Sequence, residues 1–151
     1  MNRMFSEDWG VIGTIDPQTL ADTEVFSDVI DMSKFEQVAC IFLTGDMNAS
    51  TGSLVARAVT CDSAGNNAAA LKTAATIAAA ANASDNKQVV IEVANEDLAG
   101  GAAKADRYVK FGAVSGSTGG AAAAVVLGKA FHRPSSNHDL ATVAEIEIDK
   151  D

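Results

Sequence analysis

The chain has 151 residues, with 20 acidic against 11 basic side chains and a formal charge of −9. A domain of this length buries roughly 68–70% of its unfolded surface and needs no disulfide staples, while the acidic balance argues against a nucleic-acid partner, whose phosphates call for clustered Lys and Arg. Apolar residues make up 48% of the chain but aromatics only 5%, so its hydrophobicity is that of alanine and valine rather than of the large anchors that line ligand pockets.

Residues 1–10, MNRMFSEDWG, are expected to form an N-terminal arm: the first eight show no alternation, although Met4 and Phe5 could dock. There is no continuous apolar stretch near the start and no run of 18 apolar residues, so neither a secretory signal nor a membrane span is expected, and synthesis in the cytoplasm is. A β body is then expected over residues 11–134, beginning with strands at Val11–Ile15 and Val25–Met32. Gln37–Gly45, QVACIFLTG, is apolar on both faces and reads as a central strand buried between layers. Ser53–Cys61 follows, with Arg57 interrupting one face.

Residues 67–82, NAAALKTAATIAAAAN, combine the highest helix propensity of the chain with the β-branched Thr73, Thr76 and Ile77. A short surface helix and an extended segment are both open there, and the extended reading is favoured. Lys87–Ala94 alternates Val89, Ile91 and Val93 against a wetter set with Lys87 and Glu92, and Asp106–Val114 alternates Val109, Phe111 and Ala113 against Tyr108 and Lys110. Each predicts a strand with one core face. The alanines and valines of Ala121–Phe131 would suit a helix, but Gly119, Gly120, Gly128 and Pro134 punctuate one badly, so this run is read as a strand. Residues 135–151 are expected to be a linker plus a C-terminal strand or arm, with Val143–Ile148 closing its own sheet or pairing with a neighbour's edge. Loops at 45–52, 61–67, 82–87 and 115–120 carry the Gly, Asn, Asp and Ser that reverse a chain.

Strands and turns at this spacing predict an all-β fold, an antiparallel β-sandwich or jelly roll, with at most one short Ala-rich helix. Cys40 and Cys61 sit within strand-like apolar runs and are expected to be buried thiols rather than a disulfide.

The motifs do not assemble into catalytic chemistry. His132 and His138 are the two histidines, and their spacing is neither a helical zinc pair nor half of an identifiable triad. Asp46, Asn48 and Ser50 imitate the first ligands of an EF-hand loop, but Thr51 stands where its glycine is needed and Arg57 where its bidentate glutamate is needed. GSTGG lacks the Lys-Ser/Thr ending of a P-loop. Glu96–Asp97 and Glu145–Glu147 read as turns or solvated faces. No enzyme activity, cofactor or metal is therefore expected.

The segments DVIDMSKFEQVACIFLTG, SLVARAVTCDSAGNN, SDNKQVVIEVANEDL and DRYVKFGAVSGSTGGAAAAVVLGKAFHRP, in that order, resemble the capsid decoration, or cement, proteins encoded among the head genes of tailed bacteriophages. The resemblance covers roughly Val25 to Pro134 and rests on strand order and on short pieces such as DNKQ, RYV and VVLG. It implies a compact β-rich domain, commonly a homotrimer, that sits on the outer capsid surface of the virion and bridges subunits of the major capsid protein. No functional residue is transferred by position. The candidate capsid or intersubunit contacts are instead the residues that break the β pattern: Met1, Asn2, Arg3, Met4, Phe5, His132, Arg133 and His138. Two other readings stand beside this one, a host-facing receptor- or glycan-binding module and another head or tail structural component.

Overall fold

The structure is a computed structural model that describes residues 5–47, 53–73, 85–98, 107–115 and 120–131. Among these, one helical turn, Phe5–Asp8, precedes nine strands: β1 (Trp9–Leu20), β2 (Val25–Phe26), β3 (Ile30–Asp31), β4 (Phe35–Thr44), β5 (Val55–Cys61), β6 (Ala69–Thr73), β7 (Gln88–Ala94), β8 (Tyr108–Val114) and β9 (Gly120–Ala130). Short 3-10 turns follow β3 and β7.

The protein is all-β, and every pairing between strands is antiparallel. One sheet has the order β1-β9-β4-β7; the other has β2-β8-β5-β6, with β3 also paired to β8. The pairings are nested, first strand with last, β2 and β3 with β8, β4 with β7, and β5 with β6. A long antiparallel ribbon folded over itself in this way is a jelly roll, so of the two expected architectures the strand order selects the second.

Alternation sorts the side chains. Val109, Phe111 and Ala113 of β8 and Ile91 and Val93 of β7 turn inward as expected, meeting Val38, Cys40 and Phe42 of β4 in one core. Phe42 and Phe111, fully buried and from opposite sheets, are its largest members. Small residues let the sheets close around them: Ala56, Ala58, Ala113, Ala122 and Ala124 are all buried in the same cluster. The alanine-rich β9 is thus a strand, and it lies inside its sheet between β1 and β4.

Three expectations are corrected. β1 does not stop at Ile15: it continues to Leu20 by bulging at Asp16 and Pro17, where the register with β9 jumps from Ile15 to Gln18. A proline is admissible there because a bulge on an outer strand has no ladder bond for it to break. Val25–Met32 is not one strand. It splits because Ser27 leaves the ladder; its N–H donates to the Phe111 carbonyl at 2.8 Å while its hydroxyl accepts from the Phe111 N–H at 3.0 Å, substituting a side-chain oxygen for a backbone one. Met32 then belongs to a 3-10 turn capped by Asp31.

The third correction concerns β4. It is central in its sheet, with Val38, Cys40, Phe42 and Thr44 enclosed on its inner side, but on the other side cover runs out along the strand: Ala39 is buried, Ile41 half-buried and Leu43 40% exposed. A strand apolar on both faces is thus fully covered on one and only partly on the other.

The alanine-rich segment is a strand at Ala69–Thr73; its continuation to residue 82 lies outside the described residues, as does Val143–Ile148. Cys40 and Cys61 are buried free thiols, Cys40 within the core and Cys61 in register with Tyr108 on the outer side of the second sheet.

Candidate functional site

The two sheets present opposite outer surfaces. On the sheet containing β8, Val59, Cys61 and Gly112 are buried on the outward side and their neighbours are largely tied down. Arg57 and Glu24 form a bidentate ion pair across the outer side of Gly112, which is in register with Arg57. Gly112 makes room for this cover: a Cβ would come within 2.8 Å of the Phe26 ring and 2.9 Å of the Glu24 carboxyl carbon, and both side chains would have to shift. One strand step away, the Lys110 ammonium lies 3.9 Å from the centroid of the Phe26 ring and donates to the Gly65 carbonyl at 2.6 Å. Arg107 stacks over Tyr108 and pairs with Asp31 at 2.8 Å.

The loop that supplies Gly65 is built by Asp62. Its carboxylate accepts from the N–H groups of Ala64 and Asn66, both at 2.9 Å, and from the Asn67 side chain, while Gly65 and Asn67 take positive φ. Beneath this cover Val59 and Cys61 are 1% and 0% exposed although they face away from the core. Burial alone pushes the Cys40 thiol up, so it stays protonated and unreactive. Burial also pushes the Asp31 carboxyl up, but hydrogen bonds from Ser33 and the charge of Arg107 outweigh it and hold the group below the ordinary aspartate value.

The sheet containing β4 is bare by comparison. Register places Val90, Ile41, Val125 and Thr14 in one row across its four strands and Glu92, Ala39, Leu127 and Val11 in the next. Val90 is 56% exposed and Leu43, one step along, 40%. Beyond Leu43 the small side chains of β9 leave a shallow trough of about 410 Å³, floored by Ala121–Ala123 and walled by Pro17, Thr19 and Leu43. At the other end a polar hollow of about 430 Å³ is lined by Glu36, Gln37, Asn95 and Glu96. Glu36 reaches Lys129 at 2.9 Å and Gln37 donates to Glu92 at 3.3 Å. At the outer strand β7, Asp97 accepts from Lys72 at 2.7 Å and from the Ala94 N–H at 2.8 Å; the Lys72 bond comes first among the causes that hold its carboxyl low. Glu96–Asp97 is therefore more than a solvated turn, since Asp97 ties β6 to β7.

Of the eight sequence-derived contact residues, Phe5 is described; Met1, Asn2, Arg3, Met4, His132, Arg133 and His138 lie outside the described residues. Phe5 is 61% exposed and stacks on Trp9 with parallel rings 6.3 Å apart. Trp9 is in register with Lys129, which puts Phe5 and the 49%-exposed Phe131 at the same end of the β4 sheet. Among the described residues no three His, Cys, Asp or Glu side chains converge as a metal cluster would, and no helix is long and apolar enough to cross a membrane. The open sheet face was the feature missed in sequence; its one signal was the apolar second face of β4.

Fold and surface together define a jelly-roll protein with one covered and one open outer face. No family model matches the chain, and no curated protein shows significant similarity to it. A solved structure from Bacillus endospore appendages, described as a novel family of disulfide-linked pili, is similar at a TM-score of 0.45 and 12% identity, over 86% of this chain and 96% of that one. At that level the likeness carries no functional argument.

Proposed function

We propose that the chain is a structural virion protein that binds the outer surface of a phage capsid and stabilises the shell by bridging its subunits. The observation that carries this reading is the asymmetry of the two sheets: a body with one continuous core keeps Val90 and Leu43 exposed on one outer face while much of the other is covered by ion pairs and a loop. Exposed apolar surface on an otherwise well-satisfied domain marks adhesion. The sequence resemblance supplies the partner class, and its quoted pieces DNKQ, RYV and VVLG fall at the start of β7, the start of β8 and within β9.

The mechanism is linkage. A protein that binds the closed shell and not its dissociated subunits stabilises the shell by mass action, and bridging across many sites turns modest contacts into substantial resistance to rupture. Self-association, a homotrimer by the resemblance, would place several such faces around one attachment point.

Mixing the purified protein with heads that lack it, followed by electron microscopy, tests the reading. Regularly spaced density on the outer surface and a raised shell-disruption temperature are expected. Bare heads would contradict it, and density confined to the tail or to host glycans would transfer the protein to one of the two other classes.

A further inference from the structure

We infer that the docking surface is the outer face of the β4 sheet, and that its occupant is a shell-protein surface presenting a flat aliphatic patch bordered by Lys or Arg. This rests on the capsid reading and changes its site, because the residues taken from sequence as contacts were the terminal arms. Two independent features of the face specify the partner. Its middle is aliphatic and flat, made by Leu43 and Ile41 of β4, Val90 of β7 and Val125 and Leu127 of β9, three neighbouring strands spaced ~4.8 Å apart, which a complementary apolar surface can cover without a deep pocket.

Its border is acidic. Glu36 and Glu96 lie at one end of the face, Glu92 on its outer strand β7, and Asp16 and Asp46 beside Pro17 and Gly45 at the other end, all exposed, against Lys34, Lys129 and Lys87. Lys129 is already paired with Glu36. A second copy of the chain, itself carrying −9, would bring the same acidic border against this one; a basic-bordered partner would neutralise it. Complementary potential of this kind sets orientation and association rate, and it weakens with salt. The opposite sheet offers no equivalent, since its cations are engaged: Arg57 by Glu24, Arg107 by Asp31 and Lys110 by Gly65 and Phe26.

The test is co-sedimentation of the full chain with purified heads that lack it, comparing wild type with the Leu43→Lys/Val90→Lys pair, with Val29→Lys as a control, and with deletion of residues 1–4. Val29 is 37% exposed beside Gly65, on the covered side of the molecule, so the control adds a lysine at a comparable apolar site and is matched in charge by Leu43→Lys and Val90→Lys taken singly. The expected result is an affinity at least tenfold weaker for the Lys pair, wild-type affinity for Val29→Lys, unchanged circular dichroism in both, and salt dependence that shrinks in Glu36→Gln/Glu96→Gln. Should the Lys pair unfold, Leu43→Thr/Val90→Thr places strand-favouring β-branched side chains at both positions and answers the same question. Wild-type affinity for the pair, with loss on deleting residues 1–4, would overturn the face while leaving the capsid reading standing. If the pair instead turns a wild-type oligomer into monomers that still bind heads, a second copy covers the face and the inference is wrong. Failure of wild type itself to bind heads overturns the capsid reading and the face with it.

Discussion

The outward sides of the two sheets start from similar strands and end differently. Val59 and Cys61 on one, Val90 and Leu43 on the other, are apolar residues turned away from the core. The first pair is enclosed, under Lys110 and the 62–67 loop; the second is 56% and 40% exposed. The difference is not hydrophobicity but what the neighbouring loops contribute. Asp62 and Gly65 shape a turn that folds back over one sheet, and Glu24 and Phe26 lie flat on Gly112. The described residues provide nothing comparable over Val90. A domain that covers much of one face and leaves Val90 and Leu43 exposed on the other has, on this account, kept the more open face for contact.

The comparison can be broken most forcefully at Gly112. Gly112→Val would drive a side chain into Phe26 and Glu24, and overpacking of this kind costs about 1–3 kcal/mol; a lowered denaturant midpoint with Cys61 newly reactive to thiol reagents is the expected outcome. Wild-type stability would show that the cover is loose. Next comes Arg57→Leu, which leaves the largely covered Glu24 carboxylate without its partner. Because Arg57 is itself partly exposed, the expected loss is only about 1 kcal/mol by urea unfolding.

A pH titration separates the tie at β7 from both faces. Asp97 titrates below the ordinary aspartate value of 3.8, so its stabilising contribution is complete above the unfolded-state pKa and is lost as pH falls through the lower folded value. Wild type should therefore lose stability faster than Asp97→Asn as the pH drops from about 4, a difference visible in melting curves taken at successive pH values. Smallest of all, Leu43→Lys or Val90→Lys alone should change folding stability by no more than about 0.5 kcal/mol, since neither side chain packs in the core. A large loss would mean that the face is structural after all.

Much of the fold was legible because alternation is a direct imprint of a half-buried strand. Val109, Phe111 and Ala113 and the pair Ile91 and Val93 face inward as their spacing requires. β9 was legible through its punctuation, glycines at both ends overriding alanine's helix propensity. What alternation could not show were the events that depend on a distant partner. The break at Ser27 exists because its hydroxyl finds the Phe111 N–H, 84 residues away. The passage of β1 through Asp16 and Pro17 exists because β9 tolerates a bulge. The open face was hidden for a related reason: QVACIFLTG signals two apolar sides, and sequence alone does not say whether the second belongs to another layer of the same chain or to another molecule. The terminal residues were picked out for lacking a pattern, whereas the face follows one.

The most direct measurement is a cryo-electron microscopy reconstruction of heads decorated with the wild-type chain, at a resolution that distinguishes the two sheets. The account predicts that the β1-β9-β4-β7 sheet lies against the shell, with Leu43 and Val90 at the contact and Arg57 and Lys110 turned to solvent. Density showing the Arg57–Glu24 side against the shell, or contact through the termini with Val90 facing water, would contradict it.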